Sequence, residues 1–138
     1  AAIGIHQLAR VESAWLRREA AWAYYMDALS DLPLGLPALP AVETRHAYHL
    51  FTLQICEDRF GLGRDEFLEG MNRLGIGTGV HYMSIPEHPY YQQRFGWRPE
   101  QWPNAMRFGR QTVSLPLSPK LTNQDLQRVV DAVEQLAS

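Results

Sequence analysis

From Ala2 to Leu29 the chain carries no proline, and directly afterwards Pro33, Pro37 and Pro40 crowd one short stretch. This contrast constrains the fold more than any other feature, because it divides a segment free to be one continuous helix from a segment that cannot be helical. In the first part Leu8, Val11, Trp15, Trp22, Met26 and Leu29 recur at three-, four- and seven-residue steps, while Arg10, Glu12, Arg17, Arg18 and Glu19 fall opposite them. That spacing predicts a single long amphipathic helix over 1–30, about 40 Å long at about 1.5 Å per residue, and long enough to bridge to another body. No capping residue precedes it, so Ala1 reads as an excision point inside a larger protein. The proline-rich stretch from Ser30 to Thr44 reads as an extended connector laid on the core through its leucines.

Residues 31–138 then read as one α+β domain. His46 to Cys56 alternates as a strand, with Ala47, His49, Phe51, Leu53 and Ile55 on one face. Arg64 to Leu74 spaces Phe67, Leu68, Met71 and Leu74 as a helical face that stops at Gly75, a good residue just past a helix end. Ile76 to Tyr82 reads as a second strand, Glu87 to Phe95 as a short helix, and Trp97 to Trp102 as a loop. Pro103 suits the first turn of a helix running to about Arg110. Val113 to Leu115 reads as a third strand. Thr122 to Asp125 resembles a capping box ahead of a helix bearing Leu126, Val129, Val130, Val133 and Leu136. The predicted architecture is a long N-terminal helix plus a small, mostly antiparallel three-stranded sheet covered by helices.

At 138 residues the chain suffices for one hydrophobic core, and with 46% apolar residues, 20% charged residues and a net charge of −2 it suits neither a disordered tail nor a nucleic-acid binder. It has no run long and apolar enough to span a membrane and no signal peptide, so a cytoplasmic location is expected. The lone Cys56 excludes an internal disulfide and a CxxC metal site.

The histidines pair as His46 with His49 and His81 with His88, which raises a metal site, yet strand residues three apart face opposite sides. No metal is expected. Gly75, Gly77 and Gly79 imitate a phosphate loop but follow a helix and enter a strand, the reverse of a dinucleotide fingerprint. The densest chemistry lies from Gly79 to Tyr91, where imidazoles, phenols and stiffening prolines suit either phosphate and sugar oxygens or packing on a neighbour. Lys120, the sole lysine, sits beside Pro119 on a turn where a solvated ammonium is expected, and Cys56 lies in an apolar strand. No residue of this chain is expected to be catalytic by itself.

The stretches AAIGIHQL, HAYHLF, GIGTGVHY, HPYY and SLPLSPKLT occur in that order from the first residue to near the last. Together they resemble the C-terminal part of DegT-like (DegT/StrS type) sugar aminotransferases, which are pyridoxal phosphate enzymes of fold type I. The HAYHLF and GIGTGVHY wording is especially similar to UDP-4-amino-4-deoxy-L-arabinose aminotransferases. The run Met83-Ser84-Ile85-Pro86 departs from their pattern, which leaves the sugar open. The resemblance implies a preceding N-terminal domain holding the cofactor, absent from this chain, and a homodimer acting on a nucleotide sugar with glutamate as donor. It also implies that His81 and Tyr82 contact the substrate, and that pyridoxal phosphate belongs to the full-length enzyme and is not bound by this fragment. The bottom-up rivals are a stand-alone α+β module for a small ligand and a dimerisation domain.

Overall fold

The computed structural model describes residues 2–137, so the reading at Ala1 lies outside the described residues. The N-terminal segment is two helices rather than one, α1 (Ala2–Leu8) and α2 (Val11–Ala28), separated by a turn at Ala9 and Arg10. Arg10 leaves helical geometry at φ −112° and ψ 2°. Most helix stability comes from packing an apolar face, and α1 buries no residue, so nothing holds the two segments in one line. The second half of α2 is part of the core, with Trp22, Tyr25 and Leu29 beyond its end all buried.

After α2 the elements follow as β1 (Phe51–Gln54), α3 (Glu57–Phe60), α4 (Arg64–Arg73), α5 (Pro89–Phe95), α6 (Pro103–Gln111), β2 (Thr112–Leu115) and α7 (Asn123–Leu136). Short 3-10 turns at Ile85–Glu87 and Pro99–Gln101 precede α5 and α6. Among the described residues the sheet has two strands, not three. They pair antiparallel, with Phe51 opposite Leu115 and Leu53 opposite Val113. The expected strand from Ile76 to Tyr82 contracts to one bridge, in which Gly79 and Ser114 exchange hydrogen bonds of 3.2 and 2.7 Å. Glycines at 77 and 79 offer no side chain to pack, which weakens a strand there. On the other edge Gly35 bridges Gln54 in the same way, and Pro33 and Pro37 flanking it cannot donate to extend the pairing.

The expected strand from His46 begins only at Phe51 because Tyr48 takes φ 45°, a left-handed conformation that breaks alternation. Ala47 and His49 are consequently exposed, while Phe51, Leu53 and Ile55 are buried. The Tyr48 ring lies between Trp15 and Trp22 at 5.7 and 5.6 Å, and its hydroxyl donates to Glu19 at 3.2 Å. The connector meets the core through Leu34, which is buried, and Leu32 and Leu36, which are half-buried.

One core unites α2, both strands, α4 and α7 through Tyr25, Phe51, Phe67, Met71, Val113 and Val133. The Tyr25 hydroxyl donates to the Pro116 carbonyl at 3.0 Å, and burial pushes its phenol well above the ordinary tyrosine range. Helix α4 ends as expected, with Gly75 at φ 76° and the Ile76 amide returning to the Met71 carbonyl at 2.9 Å. Helix α7 opens on a capping box, in which Thr122 Oγ1 accepts from the Asp125 amide at 3.1 Å and Asp125 Oδ2 accepts from the Thr122 amide at 2.9 Å. Those bonds hold the Asp125 carboxyl below its usual range. Thr122→Ala is therefore expected to lower stability by about 0.5–2 kcal/mol, read as a shift of the urea midpoint at unchanged m. An unchanged midpoint would show the cap to be idle.

Candidate functional site

The loop following the Gly79 bridge is tied down by close packing on α6. Ser84 is buried and its Oγ donates to the Ala105 carbonyl. A Cβ on Gly109 would lie 2.1 Å from Ser84 Oγ and 2.9 Å from its amide nitrogen, so only glycine lets the loop approach this closely. Arg64 Nη1, at the start of α4, donates to the Gly109 carbonyl at 3.3 Å, and Arg110 Nε donates to Glu87 Oε1 at 2.9 Å. Between loop, α4 and α6 lies an open cleft of 820 Å³, lined by Tyr82, Met83, Ile85, Glu87 and His88 from the loop and by Arg64 and Arg110 from the helices, with the Glu87 carboxylate taken up by Arg110.

The two residues singled out by resemblance part company here. Tyr82 lines the cleft at 72% exposure. His81 is half-buried and turns to β2, its Nδ1 2.8 Å from Ser114 Oγ, with the two rings edge to face at 4.9 Å. Its Nε2 has no hydrogen-bond partner among the described residues. The sequence pattern does not single out Arg64 or Arg110, whereas His88 belongs both to a histidine pair and to the imidazole-bearing Gly79 to Tyr91 segment suited to phosphate and sugar oxygens. A signal existed for Arg64: a cation in the first turn of a helix opposes the macrodipole, so its position asks for another reason.

What the cleft can do chemically follows from its donors. Two guanidiniums, an imidazole and a phenol present N–H and O–H groups suited to phosphate or carboxylate oxygens, and Met83 and Ile85 add an apolar wall. His88 meets Tyr91 at 6.4 Å, and Tyr91 stacks on Trp97 at 5.6 Å and Phe95 at 6.0 Å, an aromatic cluster that lies beside the cleft and backs His88.

The remaining candidates lie apart. His46 packs on Tyr48 and Trp22, at 4.8 and 5.9 Å, while its carbonyl accepts from Trp15 Nε1 at 2.7 Å. Among the described residues no three His, Cys, Asp or Glu side chains gather in a metal-binding arrangement. No described helix is long and apolar enough to cross a membrane. Lys120 is exposed on its turn away from the cleft, Asp125 serves the α7 cap, and Glu87 pairs with Arg110 within the cleft.

This fold is that of the C-terminal region of sugar aminotransferases. It superposes on DesV of S. venezuelae, solved in complex with a ketimine intermediate, with a TM-score of 0.84 and 35% identity over 99% of this chain and 35% of that one. Helicobacter pylori PseC, an aminotransferase of pseudoaminic acid biosynthesis, gives 0.86 with 27% identity over 98% of this chain and 36% of that one. Among curated proteins, the spore coat polysaccharide biosynthesis protein SpsC of Bacillus subtilis is 36% identical over 99% of this chain and 35% of its own length. Residues 1–134 match the model of the DegT/DnrJ/EryC1/StrS aminotransferase family, and the chain belongs to that family. It spans about a third of the length of the curated relatives it matches.

Proposed function

We propose that the polypeptide carrying this chain is a pyridoxal-phosphate-dependent aminotransferase that moves an amino group from glutamate to a keto-sugar carried on a nucleotide. It works in the cytoplasm as a homodimer. This chain supplies the part that holds the sugar nucleotide, with Tyr82 in the cleft and the unpartnered Nε2 of His81 beside it at the sugar and phosphates, and Arg64, His88 and the Glu87-paired Arg110 donating hydrogen bonds to the diphosphate. The cofactor supplies the electron sink for amino transfer and is held by the rest of the polypeptide; the protein's task here is to orient the substrate. The observation that carries the reading is the family match across residues 1–134, together with 35% identity over 99% of the chain to DesV, which was solved with a ketimine intermediate. A stand-alone binding module or a dimerisation domain would leave that end-to-end likeness without a reason.

The test is transfer of ¹⁵N from labelled glutamate to a panel of nucleotide keto-sugars by the full-length protein, the UDP-linked 4-keto-arabinose sugar being one member. The expected result is a labelled amino sugar from at least one of them, and undiminished transfer in Lys120→Ala, because Lys120 is an exposed turn residue. Transfer to none of them, or transfer abolished in a folded Lys120→Ala protein, would overturn the reading.

A further inference from the structure

Three features of the cleft converge on one residue of α6. The missing Cβ of Gly109 admits Ser84, its carbonyl accepts from Arg64 Nη1 at 3.3 Å, and its successor Arg110 donates to Glu87 Oε1 at 2.9 Å. Helix α6 therefore holds the loop at two points, Ser84 and Glu87, and between them Pro86 is buried, its carbonyl accepting from Gln92 Nε2 at 2.9 Å. The Gly79 bridge to Ser114 is a third fixed point upstream. Between Gly79 and Ser84 run Val80 to Met83, which carry His81 and Tyr82. Ser84 is buried, whereas Met83 and Ile85 on either side of it are 54 and 51% exposed and line the cleft. Met106, the buried residue next to Ala105 on α6, lies outside the core that unites α2, both strands, α4 and α7. The Ser84 contact thus governs where the loop stands more than whether the chain folds.

We propose that Ser84 and Gly109 are positioning residues, a latch that fixes the loop against α6 so that His81 and Tyr82 meet the nucleotide sugar without first having to be ordered. The inference rests on the proposed function of the cleft and extends it to two residues that act through the loop. A supporting contact of this kind removes an ordering cost that binding would otherwise carry. Gly109→Ala would set a methyl group 2.9 Å from the Ser84 amide nitrogen and 3.1 Å from its Cβ, where ordinary contact begins near 3.4 Å. Turning the Ser84 hydroxyl aside relieves neither approach and forfeits its bond to the Ala105 carbonyl, so loop and helix must part by about half an ångström. A misplacement of about 1 Å transmitted to a site costs about 100-fold in rate, and about half that distance still costs a readily measured share.

Single-turnover half-reactions of the full-length protein test it, the probe being the nucleotide keto-sugar that wild type aminates. Gly109→Ala is expected to lower kcat/KM for that sugar by at least about tenfold while the glutamate half-reaction stays within about twofold of wild type. Ser84→Ala keeps the close approach and loses one hydrogen bond, so a drop of about two- to tenfold in the sugar half alone is expected. Both substitutions break one contact, and the double variant is expected to be no slower than Gly109→Ala within about twofold. Hydrogen exchange reads the latch without turnover: the amides of residues 80–85 are expected to exchange at least about tenfold faster in Gly109→Ala, with those of β1 unchanged. Should Gly109→Ala fail to fold, Ser84→Ala carries the test through the same two half-reactions. Equal slowing of both halves, an undiminished sugar half, losses that multiply in the double variant, or a loop no freer in exchange would each overturn the proposal. It fails separately from the function: a wild type that aminates no sugar strikes the function, whereas a wild type that does, beside variants of undiminished sugar rate, strikes the latch alone.

Discussion

Phe51→Ala is expected to lower stability by about 3–5 kcal/mol, the range found when a fully buried aromatic ring is truncated. Phe51 is 0% exposed, and its ring meets Trp22 at 5.5 Å and Tyr25 at 5.1 Å, so one residue of β1 joins the sheet to α2. Across the ladder it faces Leu115, itself 3% exposed, and the vacated space is bounded by both strands and a helix that cannot all move inward together. Such a loss is a large share of the roughly 5–15 kcal/mol that holds a typical domain together. Urea unfolding of the variant beside wild type measures it as a lowered midpoint. Phe95→Ala serves as the comparison, because Phe95 is 55% exposed and its truncation should cost far less. Equal losses at the two positions would contradict the assignment of the core.

The elements legible in the sequence were those set by local chemistry. Gly75 ends α4 through its positive φ, Pro103 opens α6, and Thr122 with Asp125 opens α7, each where the residue type demands. The elements misread were those decided by distant neighbours. His46 to Leu50 carries strand-like residues, yet Tyr48 is drawn between Trp15 and Trp22, which lie on another element and leave no trace in local alternation. The continuity expected of α1 and α2 followed from periodicity, whereas a helix persists only where something packs on it. For Ile76 to Tyr82 the pattern was apolar enough for a strand, but a single residue, Gly79, finds a partner.

The site divides in the same way. Tyr82 was reached through a resemblance to family wording, and the composition of the Gly79 to Tyr91 segment marked the region without assigning roles within it. Arg64 and Arg110 escaped because they join the cleft from helices that begin 15 residues before (79 − 64) and end 32 residues after (111 − 79) Gly79, a proximity only the fold creates. The Ser84–Gly109 approach that aims the loop is likewise invisible in sequence, since Gly109 reads there as an ordinary small residue in an amphipathic helix.

His81→Ala is expected to lower kcat/KM of the full-length enzyme for its nucleotide keto-sugar by about one to two orders of magnitude, or about 1.4–2.7 kcal/mol. Ser114 Oγ, 2.8 Å from Nδ1, fixes the ring against β2 and leaves Nε2 without a partner among the described residues, and on the proposed reading that nitrogen bonds the substrate. A hydrogen bond to a charged phosphate is among the stronger ones, and its loss accounts for an effect of that size. On the proposed reading the donor is glutamate, which carries no diphosphate for His81 to hold, so its half of the reaction is expected to be nearly unaffected by the substitution. The ring's other role is packing: a Cβ placed on Gly79 would come within 3.0 Å of its Cε1, so the imidazole sits directly on the bridge to β2.

The central claim is that these residues hold the nucleotide sugar while the cofactor chemistry lies elsewhere in the polypeptide. Its most direct measurement is the rate of each half-reaction, followed separately by cofactor absorbance in single turnover, for wild type and His81→Ala of the full-length protein. The account predicts a glutamate half-reaction within about twofold of wild type and a sugar half-reaction slowed about 10- to 100-fold at sub-saturating substrate. Equal slowing of both halves, or no slowing of either, would contradict it.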